Sequence, residues 1–392
     1  MRVEKNVPEI RFEGFSGEWK ISQLSELALF NPKEELPVTF KYVDLESVKG
    51  TSLLGYREEL KESAPSRAQR LAKKGDVFFQ TVRPYQKNNY LFNMEEIDFV
   101  FSTGYAQLRP YYDGNFLLNL IQRDSFVKDV LDNCTGTSYP AINASILASL
   151  EVISPEGKEE QTAIGNTFQK LDNLINQHQQ KHDKLSNIKK AMLEKMFPKQ
   201  GETMPEIRFK GFSGEWEEIE LSDEVTFING RAYSQEELLD KGKYTVLRVG
   251  NFYTNSSWYY SDLELGDKYY ADNGDLLYTW SASFGPHIWN GDKVIYHYHI
   301  WKLELSENVD KLFLLHLLDY DRAKILSGSN GSTMIHITKS AMEAKKVFIP
   351  KKDEQIVIGN YFQKLDVLIK HHQQQITKLN NIKQACLSKM FV

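Results

Sequence analysis

Several polar loops of this chain carry side chains that could contact nucleic acid. The segment Arg83-Pro-Tyr-Gln-Lys-Asn-Asn-Tyr90 sets arginine, lysine, glutamine and asparagine beside aromatic residues. Arginine pairs with the edge of guanine, and asparagine or glutamine with adenine, so this composition could read DNA bases. The corresponding place in the second half holds Thr279-Trp-Ser-Ala-Ser-Phe-Gly-Pro-His287. Two further loops, 135–140 and 328–333, offer amides and hydroxyls that suit phosphate oxygens.

Taken singly, each of these loops could be an ordinary solvated turn, whereas their matching places in two halves favour a contact role. Arg83-Pro84 follows the first strand directly, but the second half has a Ser-x-Ser-Phe-Gly loop there, so base-reading positions do not align between the halves. The predicted DNA-contacting residues are Arg83, Tyr85, Gln86, Lys87, Asn88, Thr137, Ser138, Tyr139, Arg248, Asn251, Trp280, Ser281, Ser283, Phe284, His287, Ser329, Asn330, Ser332 and Thr333.

Motifs with catalytic spacing are missing from the sequence. It has no ATP-binding Gly-x-x-x-x-Gly-Lys-Ser/Thr loop, no His-Glu-x-x-His zinc motif and no Gly-x-Ser-x-Gly elbow. Asn31-Pro32 is followed by Lys33 instead of the Pro-aromatic pair of an amino-methyltransferase. His297 and His299 alternate along a predicted strand, where a polar sheet face is favoured because no third metal ligand is visible. We predict no catalytic residue and no metal site.

The segments that carry these loops have the pattern of mixed strands and short helices. Two short β-rich runs, 76–82 and 275–280, each follow a Gly-Asp turn. The pattern predicts further strands and two helices in the same order in both halves. These are strands at 99–108, 150–153, 294–305 and 346–349, and helices at 117–131 and 311–326.

Two phrases of the sequence occur twice and frame these segments. Pro8–Trp19 returns as Pro205–Trp216 with 11 of 12 positions identical, and Glu160–Phe197 returns as Glu354–Phe391 with 25 of 38 identical. The roughly 140 residues between the phrases show no comparable similarity in either half. The frame therefore repeats while its contents differ.

The longer phrase has the apolar spacing of a coiled-coil helix. At about 1.5 Å per residue it would form a rod of roughly 57 Å, and one narrow stripe on such a rod needs a partner, for which its twin is the nearest candidate. The alternative is that each helix packs separately on its own domain. The stripe comprises Ile164, Phe168, Leu171, Ile175, His178, His182, Leu185, Met192 and Met196 in the first copy, and Ile358, Phe362, Leu365, Ile369, His372, Ile376, Leu379, Ile382, Cys386 and Met390 in the second.

Length and composition fit a two-domain soluble protein. The 392 residues are 41% hydrophobic, and no apolar run approaches the ~18 residues of a membrane span. Without a secretory signal at the amino terminus, we expect a cytoplasmic protein. The net charge of −5 argues against a nucleic-acid binder at face value. However, the two repeated helices carry +2 and +3, leaving −10 elsewhere, so DNA binding would need a partner or local basic clusters.

The whole chain resembles the specificity subunit of a type I restriction-modification system. The residues that carry the resemblance are the helix start Glu-Gln-x-x-Ile-Gly-Asn at Glu160–Asn166 and Glu354–Asn360, each followed by Phe-x-Lys-Leu-Asp. The resemblance implies a mixed α/β (α+β) fold with pseudo-two-fold symmetry. In this fold, two long helices pair as an antiparallel coiled coil and join two target-recognition domains.

The resemblance also implies a division of the chain and a set of partners. The implied parts are recognition domain 1 at 1–157, spacer helix 1 at 158–197, a linker at 198–204, recognition domain 2 at 205–351 and spacer helix 2 at 352–392. Each recognition domain would read one part of a split double-stranded DNA target. Two methyltransferase subunits and the restriction/translocase subunits would dock on the chain. S-adenosylmethionine, ATP and Mg would bind to those partners, and this chain would bind no cofactor and catalyse no reaction.

Two other functions remain open at this point. A scaffold that does not bind DNA could use the twin helices to hold two protein ligands. A self-contained DNA methyltransferase or nuclease could assemble its site from scattered residues without a recognisable motif. Retention of DNA by the assembled complex distinguishes the first alternative, and binding of S-adenosylmethionine to the isolated chain distinguishes the second.

Overall fold

The computed structural model describes residues 6–136, 138–199, 201–253, 255–281, 283–328 and 337–392. The chain divides into two compact units: Met1–Gln179 with Gln373–Val392 form the first, and Gln180–His372 form the second. Within the described ranges, no helix is both long enough and apolar enough to cross a membrane.

The first half of the chain contains twelve strands and four α-helices among its described residues. They are β1 Lys20–Gln23, β2 Ala28–Phe30, β3 Thr39–Val43, β4 Val48–Lys49, β5 Ser52–Leu53, β6 Arg57–Leu60, β7 Ala68–Leu71, β8 Val77–Gln80, β9 Tyr90–Leu91, β10 Phe99–Ser102, β11 Tyr105–Pro110, α1 Gly114–Ile121, α2 Asp124–Asp132, α3 Ala144–Ser149, β12 Glu151–Ser154 and α4 Lys158–Met196. Short 3₁₀ turns lie at Leu24–Glu26 and Pro84–Gln86.

The second half follows the same plan. Its elements are β13 Glu217–Glu220, α5 Leu221–Glu224, β14 Val225–Asn229, β15 Tyr244–Leu247, β16 Tyr259–Ser261, β17 Tyr270–Ala271, β18 Leu276–Thr279, β19 Gly285–Ile288, β20 Val294–Tyr296, β21 Ile300–Leu305, α6 Lys311–Gly328, α7 Lys339–Glu343, β22 Lys346–Ile349 and α8 Lys352–Lys389. Its 3₁₀ turns lie at Gln235–Glu237, Val249–Phe252 and Asp267–Tyr269.

The two units share one sheet topology although their recognition segments have dissimilar sequences. The first contains a pair β1-β12, an antiparallel sheet β2-β11-β8-β9 and a mixed sheet β6-β3-β10-β7, in which β3 and β10 run parallel. The second contains β13-β22, β14-β21-β18-β19 and β16-β15-β20-β17, in which β15 and β20 run parallel. The small hairpin β4-β5 occurs in the first unit, and no described strand pair of the second corresponds to it.

Three predicted elements are each two elements in the structure. The strand predicted at 99–108 is β10 and β11, which lie in different sheets, and the strand predicted at 294–305 is likewise β20 and β21. All four residues of β10 are buried, so periodicity carried no signal for the change of sheet. The helix predicted at 117–131 is α1 and α2, because Arg123 adopts an extended conformation between them.

The predicted Gly-Asp turns are present in both units. Gly75 and Gly274 have φ angles of +94° and +91°, in the left-handed region that glycine adopts without a Cβ penalty. Asp76 is fully buried and receives hydrogen bonds from the backbone of Lys73 and the side chains of Gln107 and Arg109. These contacts fix the start of the central strand β8 beside the loop that follows it.

The two long helices pack against each other in antiparallel fashion within each unit. In the first unit, Phe168 of α4 contacts Phe391, which follows α8, at 5.9 Å between ring centroids. In the second unit, Phe362 of α8 stacks on Phe197, which follows α4, at 5.9 Å. The predicted pairing is therefore confirmed, and the alternative of separately packed helices is wrong.

Candidate nucleic-acid interface

The repeated Pro-Glu-Ile-Arg phrase binds the start of the long helix in each unit. Arg11 donates two hydrogen bonds to Glu160, of 2.7 and 2.8 Å, and Arg208 donates two to Glu354, both of 2.6 Å. Glu160 is 4% exposed and Glu354 is 1% exposed. A carboxylate so deeply buried requires a charged partner. The arginine of the short repeat is therefore needed wherever the glutamate that begins the long repeat is present.

The neighbouring glutamine and glycine of the Glu-Gln-x-x-Ile-Gly motif seat this helix start on the domain. Gln161 and Gln355 donate to the carbonyl groups of Pro155 and Pro350, respectively. A Cβ at Gly165 would lie 2.0 Å from Asp113 Oδ1, the oxygen that caps α1. The glycine is thus required for close contact between the long helix and α1.

The Gln-Lys-Leu-Asp motif supplies a second repeated contact, an ion pair between the long helices. Lys383 Nζ lies 2.5 Å from Asp172 in the first unit, and Lys189 Nζ lies 2.7 Å from Asp366 in the second. The sequence pattern assigned Ile382 to the apolar stripe, but Ile382 is 39% exposed. The stripe position after Leu379 is occupied by Lys383 instead. Lys189 occupies the equivalent position in α4. Their long stems cover apolar surface while the ammonium groups reach the aspartates.

Removal of the Arg11–Glu160 ion pair is expected to destabilise the first unit. An Arg11→Met variant leaves Glu160 buried with only a 3.3 Å hydrogen bond from Trp19, so the free energy of unfolding should fall by about 3 kcal/mol, as measured by urea denaturation. Combining it with Glu160→Leu should restore most of the loss. The exposed pair Lys128–Asp132 offers a control, since Lys128→Met should leave the free energy of unfolding nearly unchanged. Equal losses for the two single variants would contradict the prediction.

The predicted contact loops occupy equivalent places, because each connects the strands of an equivalent hairpin. Strand β8 pairs with β9, and β18 pairs with β19. Residues 81–89 form the loop of the first hairpin, and residues 280, 281, 283 and 284 lie between the strands of the second. The two loops therefore present different side chains from the same part of the fold.

The first hairpin loop is held in a defined conformation. Arg83 and Lys87 have φ angles of +55° and +54°, which L-residues with side chains seldom adopt, and they flank the 3₁₀ turn Pro84–Gln86. Buried Gln80 donates to the side chain of Gln86, and the backbone of Gln80 donates to Asn89. Such strain persists only where the surroundings enforce it, and it is typical of functional sites.

The structure brings the two predicted contact segments of the first unit together. The backbone N–H of Arg83 donates to the carbonyl of Pro140 at 2.8 Å, and the Arg83 guanidinium lies 4.4 Å from the centre of the Tyr139 ring. Tyr139 is 64% exposed and Tyr85 is 50% exposed. Ser138 is exposed beside them, and Thr137 lies outside the described residues.

The remaining predicted residues of this loop take part in internal contacts. Lys87 Nζ donates to the carbonyl of Gln122 and forms an ion pair with Asp124. Asn88 accepts a 2.8 Å hydrogen bond from the backbone of Gly50. Both side chains support the loop and are less available to a ligand than Arg83.

In the second unit, His287 is the centre of a fixed polar cluster. Its ring stacks on Phe252 at 4.2 Å, and its Nε2 lies 3.2 Å from the hydroxyl of Tyr253 and 3.4 Å from that of Thr279. Burial and, to a lesser extent, the charge of Arg322 lower the pKa of His287 to about 4. The imidazole is therefore neutral near pH 7 and offers a hydrogen-bonding edge without charge.

The other predicted residues of the second unit divide into surface and core positions. Trp280 donates its indole N–H to the carbonyl of Tyr298 and stacks on Trp301. Ser283 is exposed and Ser281 is half-buried. Phe284 is 4% exposed and packs in the apolar core, so its side chain does not face a ligand.

Arg248 and Asn251 lie beside this cluster: Arg248 precedes the 3₁₀ turn Val249–Phe252, and Asn251 lies within it. The guanidinium of Arg248 lies 4.1 Å from the centre of the Tyr259 ring. Asn251 accepts from the backbone of Arg248 and donates to the carbonyl of Ser257, so it supports the turn. Ser329, Asn330, Ser332 and Thr333 lie outside the described residues.

The prediction that His297 and His299 alternate along one strand is wrong. His299 lies in the turn between β20 and β21, and His297 lies next to that turn. Their rings are 4.9 Å apart, near Tyr298. Across the described ranges, no group of three or more histidine, cysteine, aspartate or glutamate residues is arranged to hold a metal ion.

Sequence reasoning missed three aromatic residues that complete these clusters: Phe252, Tyr253 and Tyr259. Only Tyr253, which is 40% exposed, gives a usable signal, since it ends the polar and aromatic run Asn251-Phe-Tyr253 beside a predicted contact residue. Tyr259 is eleven positions from Arg248, and nothing in the spacing indicates their contact.

The repeated sheet order, the paired long helices and the two unlike loops define a class of proteins that contain the same α/β unit twice. The model of the type I restriction modification DNA specificity domain matches this chain twice, at residues 18–187 and 213–381. The chain belongs to this family.

Two relatives from Methanocaldococcus jannaschii are similar in sequence. The putative type I restriction enzyme MjaX specificity subunit is 24% identical over 260 residues, covering 63% of this chain and 60% of that protein. The type I restriction enzyme MjaVIII specificity subunit is 27% identical over 181 residues, covering 45% of this chain and 42% of that protein. The chain thus spans less than two thirds of the length of these relatives.

Two solved structures share the fold. The crystal structure of a type I restriction-modification system S subunit from M. genitalium has a TM-score of 0.67 at 15% identity, covering 98% of this chain and 99% of that one. A chain from a structure on complex assembly and conformational transition of the type I R-M system has a TM-score of 0.52 at 21% identity, covering 95% and 97%.

Proposed function

We propose that this chain is the non-catalytic DNA specificity subunit of a type I restriction-modification complex. Each unit reads one part of a bipartite double-stranded target. The observation that carries the proposal is the pair of equivalent hairpins, which carry Arg83 in one unit, in contact with Tyr139, and His287 in the other, in contact with Tyr253. One frame with two different reading loops suits two different half-sites.

The proposal assigns the parts of the chain as follows. Residues 1–157 and 205–351 are the target-recognition domains, 158–197 and 352–392 are the spacer helices, and 198–204 is the linker. Two methyltransferase subunits and the restriction/translocase subunits dock on the chain in the cytoplasm. S-adenosylmethionine, ATP and Mg act in those partners. The negative charge outside the long helices is consistent with partners that supply much of the positive surface.

Sequencing of methylated bases tests this proposal. Cells that express the chain with its methyltransferase subunits should carry methylation at a two-part motif that is absent from cells without the chain. An Arg83→Ala variant should change or abolish recognition of one half-site, and a His287→Ala variant that of the other. The exposed pair residue Lys128 provides a neutral control. An unchanged methylation pattern after removal of the chain would refute the proposal.

A further inference from the structure

Four arginines lie over tyrosine rings in the described part of the chain, two in each unit. Arg57 lies over Tyr42 and Arg83 over Tyr139 in the first unit. In the second, Arg231 lies over Tyr233 and Arg248 over Tyr259. A guanidinium group is attracted to the face of an aromatic ring, and this contact restricts where the arginine side chain can lie.

Two of the four arginines have a carboxylate partner among the described residues, and two do not. Arg57 lies within 4 Å of Asp44 and Glu59, and Arg231 donates two hydrogen bonds to Glu237. In contrast, no carboxylate among the residues that the structure describes lies within 4 Å of the guanidinium of Arg83 or Arg248. Each unit therefore has one stacked arginine that is neutralised and one that is not.

The two arginines without a carboxylate are also the two that lie in the candidate interface. Arg83 opens the turn Pro84–Gln86 of the first hairpin loop, and its φ angle of +55° is held by the hydrogen bond from its N–H to Pro140. Arg248 precedes the turn Val249–Phe252, whose last residue stacks on His287. Its Nε is buried without a hydrogen-bond partner among the described residues, and its Nη2 has only a 3.4 Å contact with the carbonyl of Ser257.

A guanidinium group that is oriented but not neutralised suits one kind of ligand in a DNA groove. The O6 and N7 atoms of guanine accept two hydrogen bonds from an arginine fork, and this is the commonest base-specific contact in the major groove. A phosphate would also attract the charge, and an arginine fork can bind it with two hydrogen bonds, but lysine serves a phosphate as well. The two contacts therefore differ in sequence dependence, since only a guanine contact is lost when one G·C pair is replaced.

We propose that each unit reads one guanine through an arginine held on a tyrosine: Arg83 on Tyr139 in the first unit and Arg248 on Tyr259 in the second. Each half-site of the target then contains a G·C pair. Arg83 and Arg248 determine specificity, whereas Tyr139 and Tyr259 are positioning residues that act through them. This inference rests on the proposed function of the chain in DNA recognition.

The test uses the complex purified with its methyltransferase subunits and duplexes that carry the methylated motif. One G·C pair at a time is replaced by A·T, or its guanine by 7-deazaguanine, which lacks the N7 acceptor. Arg83→Lys should reduce discrimination at one G·C pair of one half-site by roughly 5- to 150-fold, and Arg248→Lys should do so in the other. Arg57→Lys and Arg231→Lys, the stacked arginines with carboxylates, are the matched controls and should leave discrimination unchanged.

Substitutions of Tyr139 test whether its ring positions Arg83. Tyr139→Phe keeps the ring and should keep discrimination, whereas Tyr139→Ala should lower it at the base pair read by Arg83, with the other half-site unaffected. A half-site without a G·C pair would overturn the inference. So would Arg→Lys variants that weaken binding equally on all duplexes, which is the behaviour of phosphate contacts. If the wild-type complex binds no preferred sequence, the proposed function itself fails before any variant is compared.

Discussion

A Gly359→Ala variant is expected to lower the stability of the second unit by roughly 1–3 kcal/mol. A Cβ at this position of α8 would lie 2.7 Å from the backbone nitrogen of Phe313, 2.8 Å from Leu312 Cβ and 2.9 Å from Asp310 Oδ1. Asp310 caps α6 by accepting from that same nitrogen. The methyl group must therefore push α8 away from α6 or break the cap, and each of these changes costs about 1–3 kcal/mol.

A loss of stability in Gly359→Ala would show that the steric clash of the new methyl group outweighs the higher helix propensity of alanine. In an unobstructed helix, alanine is more stable than glycine by up to about 1 kcal/mol. Gly266→Ala is the matched control, since Gly266 has a φ of −68° and open space around its Cβ. Thermal unfolding of the two variants should show a large loss for the first and little change for the second. Equal stability of the two would refute the close contact, and Gly165→Ala should reproduce the loss in the first unit.

Under the proposed function, insertion of seven residues into both long helices is expected to widen the gap between the two half-sites of the target by about three base pairs. Helices α4 and α8 each continue through the point where the chain divides into units, after Gln179 and after His372. Seven residues add about 10.5 Å of helix and preserve the heptad stripe, and a base pair rises about 3.4 Å. Sequencing of methylated bases should show both half-sites unchanged and only the spacer between them longer.

An insertion in α4 alone provides the control for this experiment. One longer helix cannot keep both the Lys189–Asp366 and the Lys383–Asp172 pair in place without a bulge, so we expect loss of stability and of methylation. A double insertion that leaves the recognised gap unchanged would refute the role of the helices as a spacer. The result would leave the assignment of the reading loops untouched.

Much of the frame could be predicted because its residues occur twice in the sequence. The repeated apolar spacing indicated the long helices, and the Gly-Asp turns indicated the central strands β8 and β18. The common sheet order could not be predicted, since it depends on pairings between strands far apart in the chain. Ile382 was assigned to the stripe because it is apolar, whereas the structure places the stem of Lys383 there to reach Asp172.

The candidate site was predictable by composition and not by geometry. The residue types of the loop at Arg83 favoured base contact, and the small polar residues around Tyr139 separately favoured phosphate contact; both assignments stay predictions. Their contact follows from the pairing of Val82 with Ala141, which no local pattern encodes. In the same way, the spacing that separates Tyr259 from Arg248 gave no sign that one ring supports the other side chain.

The end of α8 packs in the first unit, which affects the order in which the protein can fold during synthesis. Phe391 closes the core of the first unit against Trp19, at 6.3 Å between ring centroids, and Met390 lies in the same core. A ribosome releases Trp19 before any residue of Gln180–His372 and Phe391 after all of them, so the first unit waits with an open apolar core throughout translation of the second. Until Phe391 is made, that apolar surface stays open to chaperones and proteases.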